Sequence, residues 1–186
     1  MKTWLITDTH FGHKNVITWC NRPANFVEKV ERGLDVIAPD DVLIHLGDVF
    51  WKDPENYCKI FDRKFKKILV KGNHDKQTNT WFYRRGWDFV CDSFRMKAHG
   101  FDIQFSHKPM KLEADLNIHG HFHNAPKERW EPELIELLTD RHILICLEDR
   151  KYKPVLLDSL LMKEIKGKEI KGKEIKGKEI KGGTKC

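Results

Sequence analysis

The chain has 186 residues, 40% of them hydrophobic and 33% charged, a balance typical of one globular domain with a buried core. It contains no run of eighteen apolar residues and its N-terminal segment lacks a signal-peptide pattern, so we expect neither a membrane span nor a secreted protein. The net charge of +6 does not by itself indicate a nucleic-acid partner, because the nine lysines and four glutamates of residues 163–186 account for +5 of it.

In the first half of the chain, apolar segments alternate with amphipathic ones. Three short apolar segments predict buried strands: residues 3–7, 41–48 and 66–72. Three other segments predict helices: residues 25–38, 53–65 and 78–86. In the second of these helices, Asp53 is a candidate N-cap and Pro54 occupies the first helical position.

From Asp88 onward the pattern changes to strands separated by turns. The predicted strands are residues 88–98, 101–107, 116–120, 142–148 and 152–157. The segment AHGFD predicts a hairpin turn at Gly100. An α/β first half followed by a mostly β second half predicts two packed sheets with helices outside them.

The C-terminal residues 163–186 contain the one internal repeat, KEIKG, four times in succession. A period of five matches neither the 3.6 residues of a helical turn nor the alternation of a strand, and glycine at every fifth position disfavours a helix. We therefore expect a domain over residues 1–162 and a flexible lysine-rich tail after it. The tail is interpreted as a solvated terminus, with contact to phosphates or acidic surfaces as the alternative.

Side chains that can hold metal ions follow five of the predicted strands. They are Asp8, His10 and His13; Asp48; Asn73 and His74; His107; and His119, His121 and His123. Each residue alone is compatible with a turn or a satisfied core position, but the repetition over five strand ends favours a shared site, because such loops converge at one edge of an α/β sheet. Oxygen and nitrogen donors without sulfur suit manganese, iron, zinc or nickel.

The same segments, taken in order, resemble the motifs of the calcineurin-like metallophosphoesterases. They read DTH at 8–10, GD at 47–48, GNHD at 72–75, a lone His107 in SHKP, and GHFH at 120–123. The segment DTHFGHKNVI is similar to small single-domain members from bacteria and their phages. The resemblance implies an α/β fold of four layers, α-β-β-α, in which two mixed sheets are flanked by helices.

The resemblance also implies a site for two divalent metal ions. Asp8, His10 and His123 would hold one ion, and Asn73, His107 and His121 would hold the other. Asp48 would bridge both, and a hydroxide between the ions would attack phosphorus in line. Manganese is the first choice, with iron, zinc, nickel or magnesium as alternatives.

Other roles near this site are implied or left open. His74 resembles the catalytic histidine of the family, and Asp75 is either the residue that orients its ring or a plain turn residue. His13 is a candidate substrate contact or a structural donor, and Arg22 a candidate phosphate contact or a surface arginine. His45, inside a predicted strand, is interpreted as a core histidine.

The sequence indicates the reaction class more closely than the substrate. GDVFWKD departs from the GDxxDRG motif of protein phosphatases, and the chain has no room for the DNA-capping domain of nuclease members. We therefore expect a phosphodiesterase acting on small or cyclic-nucleotide diesters. The alternatives are a phosphomonoesterase, a nuclease that uses the lysine tail as a tether, and a non-catalytic scaffold such as a retromer subunit.

Five widely spaced cysteines without a CxxC pair exclude a zinc ribbon and favour a reducing compartment. We expect a cytoplasmic location in a bacterium or a phage-infected cell, a phosphoester substrate and no membrane partner. A nucleic-acid partner and the oligomeric state stay open.

Overall fold

The computed structural model describes residues 1–170, and in this part of the chain nine strands form two mixed sheets. The strands are β1 (Thr3–Ile6), β2 (Val42–His45), β3 (Lys66–Val70), β4 (Phe89–Cys91), β5 (Ser93–Ala98), β6 (Phe101–Ser106), β7 (Leu116–His119), β8 (His142–Leu144) and β9 (Val155–Leu156). The helices are α1 (Val16–Trp19), α2 (Phe26–Gly33), α3 (Asn79–Tyr83), α4 (Pro132–Ile135) and α5 (Leu157–Ile170).

The first sheet has the strand order β4-β3-β2-β1-β9, with β1 to β4 parallel and β9 antiparallel. Successive residues of its central strands point to opposite faces, so Leu43 joins one buried cluster and Ile44 the other. The outer face is covered by α1 and α2, through Val16, Phe26 and Val30. Because both faces are buried, these strands are continuous apolar runs.

The second sheet has the order β5-β6-β7-β8, with only the β5–β6 pair antiparallel. Its inner face packs against the first sheet through residues such as Phe105 and Ile118, and α5 closes this core with Leu160 and Leu161. Two packed mixed sheets with flanking helices confirm the predicted fold class. The predicted hairpin turn is also confirmed, since His99 and Gly100 both have left-handed backbones between β5 and β6.

Two predicted helices differ from the structure. Residues 53–65 form short 3₁₀ turns, Pro54–Asn56 and Cys58–Phe61. Asp53 is the N-cap residue of the first turn, but its φ is +50° and its side chain makes no capping bond. The apolar residues Ile60 and Phe61 are anchored in the core, and this tertiary packing overrides the local helical pattern. The helix predicted over 25–38 is α helical to Gly33 and continues as a 3₁₀ turn, Leu34–Val36.

The domain boundary predicted at residue 162 falls within a helix and stays a prediction. Helix α5 begins at Leu157 and continues to Ile170, because packing of its first turns nucleates a helix that further residues extend. The remaining repeat residues, 171–186, lie outside the described residues. Within residues 1–170, no helix combines the length and the apolar character needed to cross a membrane.

Candidate metal centre

The loops after β1 and β2 continue the pairing of their strands and thereby align the DTH and GD motifs. The backbone amide of Asp8 donates to the carbonyl of Gly47 at 2.9 Å, and that of His10 donates to the carbonyl of Asp48 at 2.9 Å. The loops after β6 and β7 are joined by a bond of 3.0 Å from the Gly120 amide to the His107 carbonyl. The parallel strands of both sheets therefore deliver the five predicted loops to one edge.

Five of the seven predicted metal ligands have backbones in the left-handed region. They are Asp8 (φ 51°), His10 (46°), Asp48 (56°), His121 (78°) and His123 (52°). Such a backbone costs a non-glycine residue about 1–2 kcal/mol and persists only where the surrounding structure enforces it. The inter-loop bonds provide that enforcement, and this concentration of strain marks the edge as a functional site.

Gly72 in the GNHD motif is required by a close approach rather than by an unusual φ. A Cβ added there would lie 2.1 Å from Asp48 Oδ1 and 2.5 Å from the Asp48 backbone nitrogen. The glycine therefore lets the loops after β2 and β3 meet.

The first group of predicted ligands is assembled in the structure. His10 Nε2 lies 3.1 Å from His123 Nε2 and 3.8 Å from Asp8 Oδ1, which is 3.6 Å from His123 Nε2. Asp8 Oδ1 is buried and has no hydrogen-bond partner among the described residues. A bound cation would satisfy this oxygen, so the observation fits a metal ion at this position.

The second group is assembled equally closely. His107 Nε2 lies 3.1 Å from Asn73 Oδ1 and 3.2 Å from His121 Nδ1. Asp48 lies between the groups, with its Oδ2 3.5 Å from His10 Nε2 and 3.3 Å from His107 Nε2. All seven predicted ligands thus converge, and their donors fit two divalent cations that share Asp48.

The pKa values of His123 and His107 show the effect of the negative charges around these two rings. Burial opposes charge on the ring of His123, but Asp8, Cys20 and Glu148 outweigh it and raise the pKa of His123 to about 10. Burial likewise opposes charge on His107, but Asp48 and Asp8 raise its pKa to about 9. A site that stabilises protons on imidazoles also favours divalent cations, which would displace those protons.

The His74 ring lies at the open side of these groups. Its Nε2 is 3.9 Å from Asp48 Oδ2, and its side chain is 33% exposed. The ring packs against Trp51 at a ring-centroid distance of 4.4 Å. His13 also stacks on Trp51, at a ring-centroid distance of 3.9 Å. Trp51 thus contacts the predicted catalytic histidine.

Of the two roles left open for Asp75, its hydrogen bonds favour a structural role in the turn over orientation of the His74 ring. Its carboxylate accepts hydrogen bonds from three backbone amides, those of Asp48 (2.7 Å), Val49 (2.9 Å) and Gly72 (2.9 Å). These bonds fix the backbone that carries Asp48. A carboxylate with both oxygens engaged in this way holds the loop together rather than the histidine ring.

His13 and Arg22, the two candidate substrate contacts, have different surroundings. Both ring nitrogens of His13 are buried and have no hydrogen-bond partner in the described part of the chain, so the structural hydrogen bond is not formed and the substrate contact stays a prediction. The Arg22 side chain is fully buried and forms an ion pair with Glu148 at 2.7 Å. Arg22 is therefore neither a surface arginine nor available to a phosphate, because the fold around Glu148 encloses it.

His45 is a core histidine as predicted, and His119, one of the metal-capable side chains, is also buried away from the two groups of ligands. His45 is fully buried, with its Nε2 3.0 Å from Thr9 Oγ1 and its Nδ1 accepting from the Gly47 amide at 3.2 Å. His119 is buried and its Nδ1 lies 3.0 Å from the carbonyl of Gly120.

Sequence reasoning missed Glu131 and Glu148, whose carboxylates touch His121 and His123. Glu148 ends the apolar segment HILICLE, four residues after the end of β8, so it carries a signal similar to that of the other ligand positions: a polar residue at the end of an apolar segment. Glu131 lies in a polar segment before α4, where no sequence signal distinguishes it.

Comparison with known proteins gives a family match and several relatives. A family model described as calcineurin-like phosphoesterase matches residues 1–158. Over 185 residues the chain is 28% identical to the uncharacterized protein MJ1445 of Methanocaldococcus jannaschii, covering 89% of this chain and 93% of the relative.

The solved structure of the protein of unknown function AQ665 from Aquifex aeolicus has a TM-score of 0.68 and 28% identity, over 87% of this chain and 98% of that one. A single mutant of Vps29 from Entamoeba histolytica has a TM-score of 0.40 and 17% identity, over 68% of this chain and 67% of that one.

Proposed function

The chain belongs to the calcineurin-like phosphoesterase family of metal-dependent phosphoester hydrolases, and we propose that it is a two-metal phosphodiesterase for small diesters, including cyclic nucleotides. The observation that carries this proposal is the position of Asp48 Oδ2, 3.5 Å from His10 Nε2 and 3.3 Å from His107 Nε2. A carboxylate oxygen between two groups of donors is what a ligand shared by two cations requires.

In this proposal each group of donors holds one cation. Asp8, His10 and His123 hold the first, and Asn73, His107 and His121 hold the second, with Asp48 common to both. Manganese is the first choice among manganese, iron, zinc, nickel and magnesium. When bound, the two cations supply an activated water and neutralise charge on the phosphoryl oxygens.

His74 is the residue that we expect to act on the leaving group. It is exposed enough to meet a substrate and lies 3.9 Å from the shared carboxylate. Its ring nitrogens have no hydrogen-bond partner among the described residues other than the long contact to Asp48. A protonated His74 can therefore donate its proton to the departing ester oxygen.

The space beside the site supports a small esterified group. A cleft of about 270 Å³ opens next to Asn73 and His107, and its wall includes Lys71 and Lys108. This volume lies just below the range of about 300–1,000 Å³ that is usual for small-molecule sites. It suits one small substituent of a phosphodiester better than an extended chain.

Hydrolysis of bis-p-nitrophenyl phosphate in the presence of Mn²⁺ tests the reaction class. We expect the activity to be abolished by chelation and by Asp48→Asn, because the variant cannot share negative charge between two cations. Asp102→Asn, at a half-buried position of β6 paired with Arg95 and outside the candidate site, is the matched control and should keep full activity. Activity that survives extensive dialysis against a chelator would exclude the two-metal reaction.

His74→Gln tests the proposed acid. We expect kcat to fall by about 10²–10⁴-fold for diesters with poor leaving groups and by much less for p-nitrophenyl esters, which need little protonation. His99→Gln, at an exposed turn position, is the control. An equal loss on both kinds of substrate would show that His74 acts in some other way than as an acid.

A screen with Mn²⁺ against cyclic nucleotides, phosphomonoesters and short oligonucleotides tests the substrate class. The full chain should be compared with a chain that ends at residue 170, after α5. We propose residues 163–186 as a tail outside the catalytic domain, so both chains should hydrolyse small diesters equally. Preferential cleavage of oligonucleotides that depends on residues 171–186 at low salt would instead favour a nuclease.

A further inference from the structure

Two glutamates outside the family motifs contact the outer ring nitrogens of the GHFH histidines. Glu148 Oε1 lies 3.2 Å from His123 Nδ1, and Glu131 Oε1 lies 2.9 Å from His121 Nε2. The opposite nitrogens of these rings, His123 Nε2 and His121 Nδ1, are the ones that face the proposed metal groups.

These contacts decide which nitrogen of each ring carries the proton. A carboxylate only accepts hydrogen bonds, so the neutral ring must place its proton on the nitrogen that faces the glutamate. Arg22 Nη2 also lies 3.3 Å from His123 Nδ1, but its two protons are directed to the Asp8 carbonyl and to Glu148 Oε1, both at 2.7 Å. The nitrogen that faces the metal group then has a free lone pair. A histidine held by a carboxylate in this way is both correctly oriented and more basic as a ligand.

The surroundings of Glu148 are rigid. Its side chain is 6% exposed, and Arg22 donates to Oε1 at 2.7 Å through Nε, while Cys146 Sγ lies 3.2 Å from Oε2. Arg22 Nη2 also donates to the carbonyl of Asp8 at 2.7 Å. The Arg22–Glu148 pair therefore ties His123 to the backbone of Asp8, a second predicted ligand of the same cation.

The surroundings of Glu131 are open. Its side chain is 38% exposed, and its cationic partner, Lys108, is 40% exposed at 2.9 Å. Solvent-exposed ion pairs of this kind hold their geometry weakly. Glu131 contacts His121, a member of the Asn73–His107–His121 group. This group has the neutral Asn73 in place of Asp8, so it has one negative charge fewer than the group of Asp8, His10 and His123.

Resting on the proposed metal centre, we propose that Glu148 and Glu131 are positioning residues that make the two metal sites unequal. The buried Arg22–Glu148 pair makes the Asp8–His10–His123 site tight. The exposed Lys108–Glu131 pair leaves the Asn73–His107–His121 site weaker and more readily exchanged. The buried guanidinium of Arg22 also excludes a third cation from the neighbouring group of Cys20, His123 and Glu148, because it lies 2.7 Å from the carboxylate that such an ion would need.

Equilibrium dialysis of the full chain against Mn²⁺ measures both affinities without any activity assay. We expect two binding steps in the wild type. Glu148→Gln should weaken the tighter step by about 10–100-fold, and Glu131→Gln should weaken only the looser step. Glu55→Gln, which removes an exposed carboxylate paired with Arg85, is the matched control and should change neither step.

Glu148→Asp is the conservative variant. It keeps the buried negative charge but withdraws the carboxylate from His123 and from Arg22 alike, because the same Oε1 contacts both. It should weaken the tighter step and leave the looser step unchanged, in metal-free protein that thermal unfolding shows to be folded. Unchanged affinity in both Glu148 variants, or equal weakening of both steps, would overturn the inference. A wild-type chain that binds no Mn²⁺ would contradict the proposed function itself.

Discussion

At the scale of single residues, His45 shows how a buried polar side chain holds the backbone that leads to a candidate ligand, Asp48. The Thr9 hydroxyl donates to the carbonyl of Val49 at 3.0 Å, so its oxygen accepts from His45 Nε2. The Gly47 amide donates to His45 Nδ1. Both ring nitrogens are satisfied only when the ring is neutral, and the ring thereby fixes the turn that leads to Asp48.

This arrangement predicts a specific dependence of stability on pH. Burial lowers the pKa of His45 to about 3, compared with 6.5 for a free ring. Between these values the unfolded chain binds a proton that the folded chain excludes, so stability is full above pH 6.5 and falls as the pH falls. At pH 5 this single group should cost about 2 kcal/mol.

Urea unfolding of metal-free protein at pH 7.5 and pH 5 measures the effect. The wild type should lose free energy of unfolding between pH 7.5 and pH 5. His45→Gln removes the titrating group, so this variant should lose about 2 kcal/mol less over the same interval. His119 titrates in both proteins, and the comparison removes its contribution. Equal losses of unfolding free energy in the wild type and in His45→Gln would contradict a neutral His45 ring held by two hydrogen bonds.

At the scale of elements, the site depends on how closely the loops after β2 and β3 approach each other. The Asp48 amide is held by Asp75 at 2.7 Å, and the His74 amide donates to Asp48 Oδ1 at 2.8 Å. The two loops are therefore held together by bonds from the residues that follow Gly72, and they cannot separate without breaking these bonds.

Gly72→Ala should therefore displace Asp48 and its neighbours. We expect at least a tenfold loss of kcat/KM and a loss of about 1–3 kcal/mol in the free energy of unfolding, as overpacking typically produces. Diesterase kinetics and urea unfolding measure the two effects. Gly100→Ala is the control: its φ of +81° adds backbone strain, but no atom lies within 4 Å of the added Cβ, so catalysis should be retained. A fully active Gly72→Ala protein would mean that the loops can separate freely.

At the scale of the whole molecule, the candidate metal centre joins the two sheets. Asp8, Asp48 and Asn73 follow strands of the first sheet, whereas His107, His121 and His123 follow strands of the second. A cation held by both groups would be bound by the folded chain and not by the unfolded one. Metal binding should therefore stabilise the packing of one sheet against the other.

Thermal unfolding with and without Mn²⁺ checks this linkage. At a free metal concentration about 100 times Kd, the folded state should gain about 2.7 kcal/mol, which raises Tm by about 5–10 °C for a chain of this size. The double variant Asp8→Asn, His107→Gln should lose most of this shift because it removes one donor from each group. An equal shift in the wild type and the double variant would place the binding of Mn²⁺ elsewhere.

The chain by itself determined the fold class, the family and the set of candidate ligands. Apolar segments of strand length, each followed by Asp, Asn or His, are local patterns, and the rule that parallel strands end at one edge converts them into a shared site. That is why Asp8, His107 and His123, far apart in sequence, could be grouped before their distances were known.

Only the tertiary structure decided what surrounds those ligands. Asp75 bonds three amides rather than the His74 ring, Arg22 is enclosed with Glu148 rather than exposed, and residues 53–65 follow core packing rather than their helical pattern. A hydrogen-bond partner or a buried ion pair depends on side-chain directions set by segments distant in the chain. Local sequence patterns do not determine those directions. The contacts of Glu131 and Glu148 with the histidines could therefore be identified only in the tertiary structure.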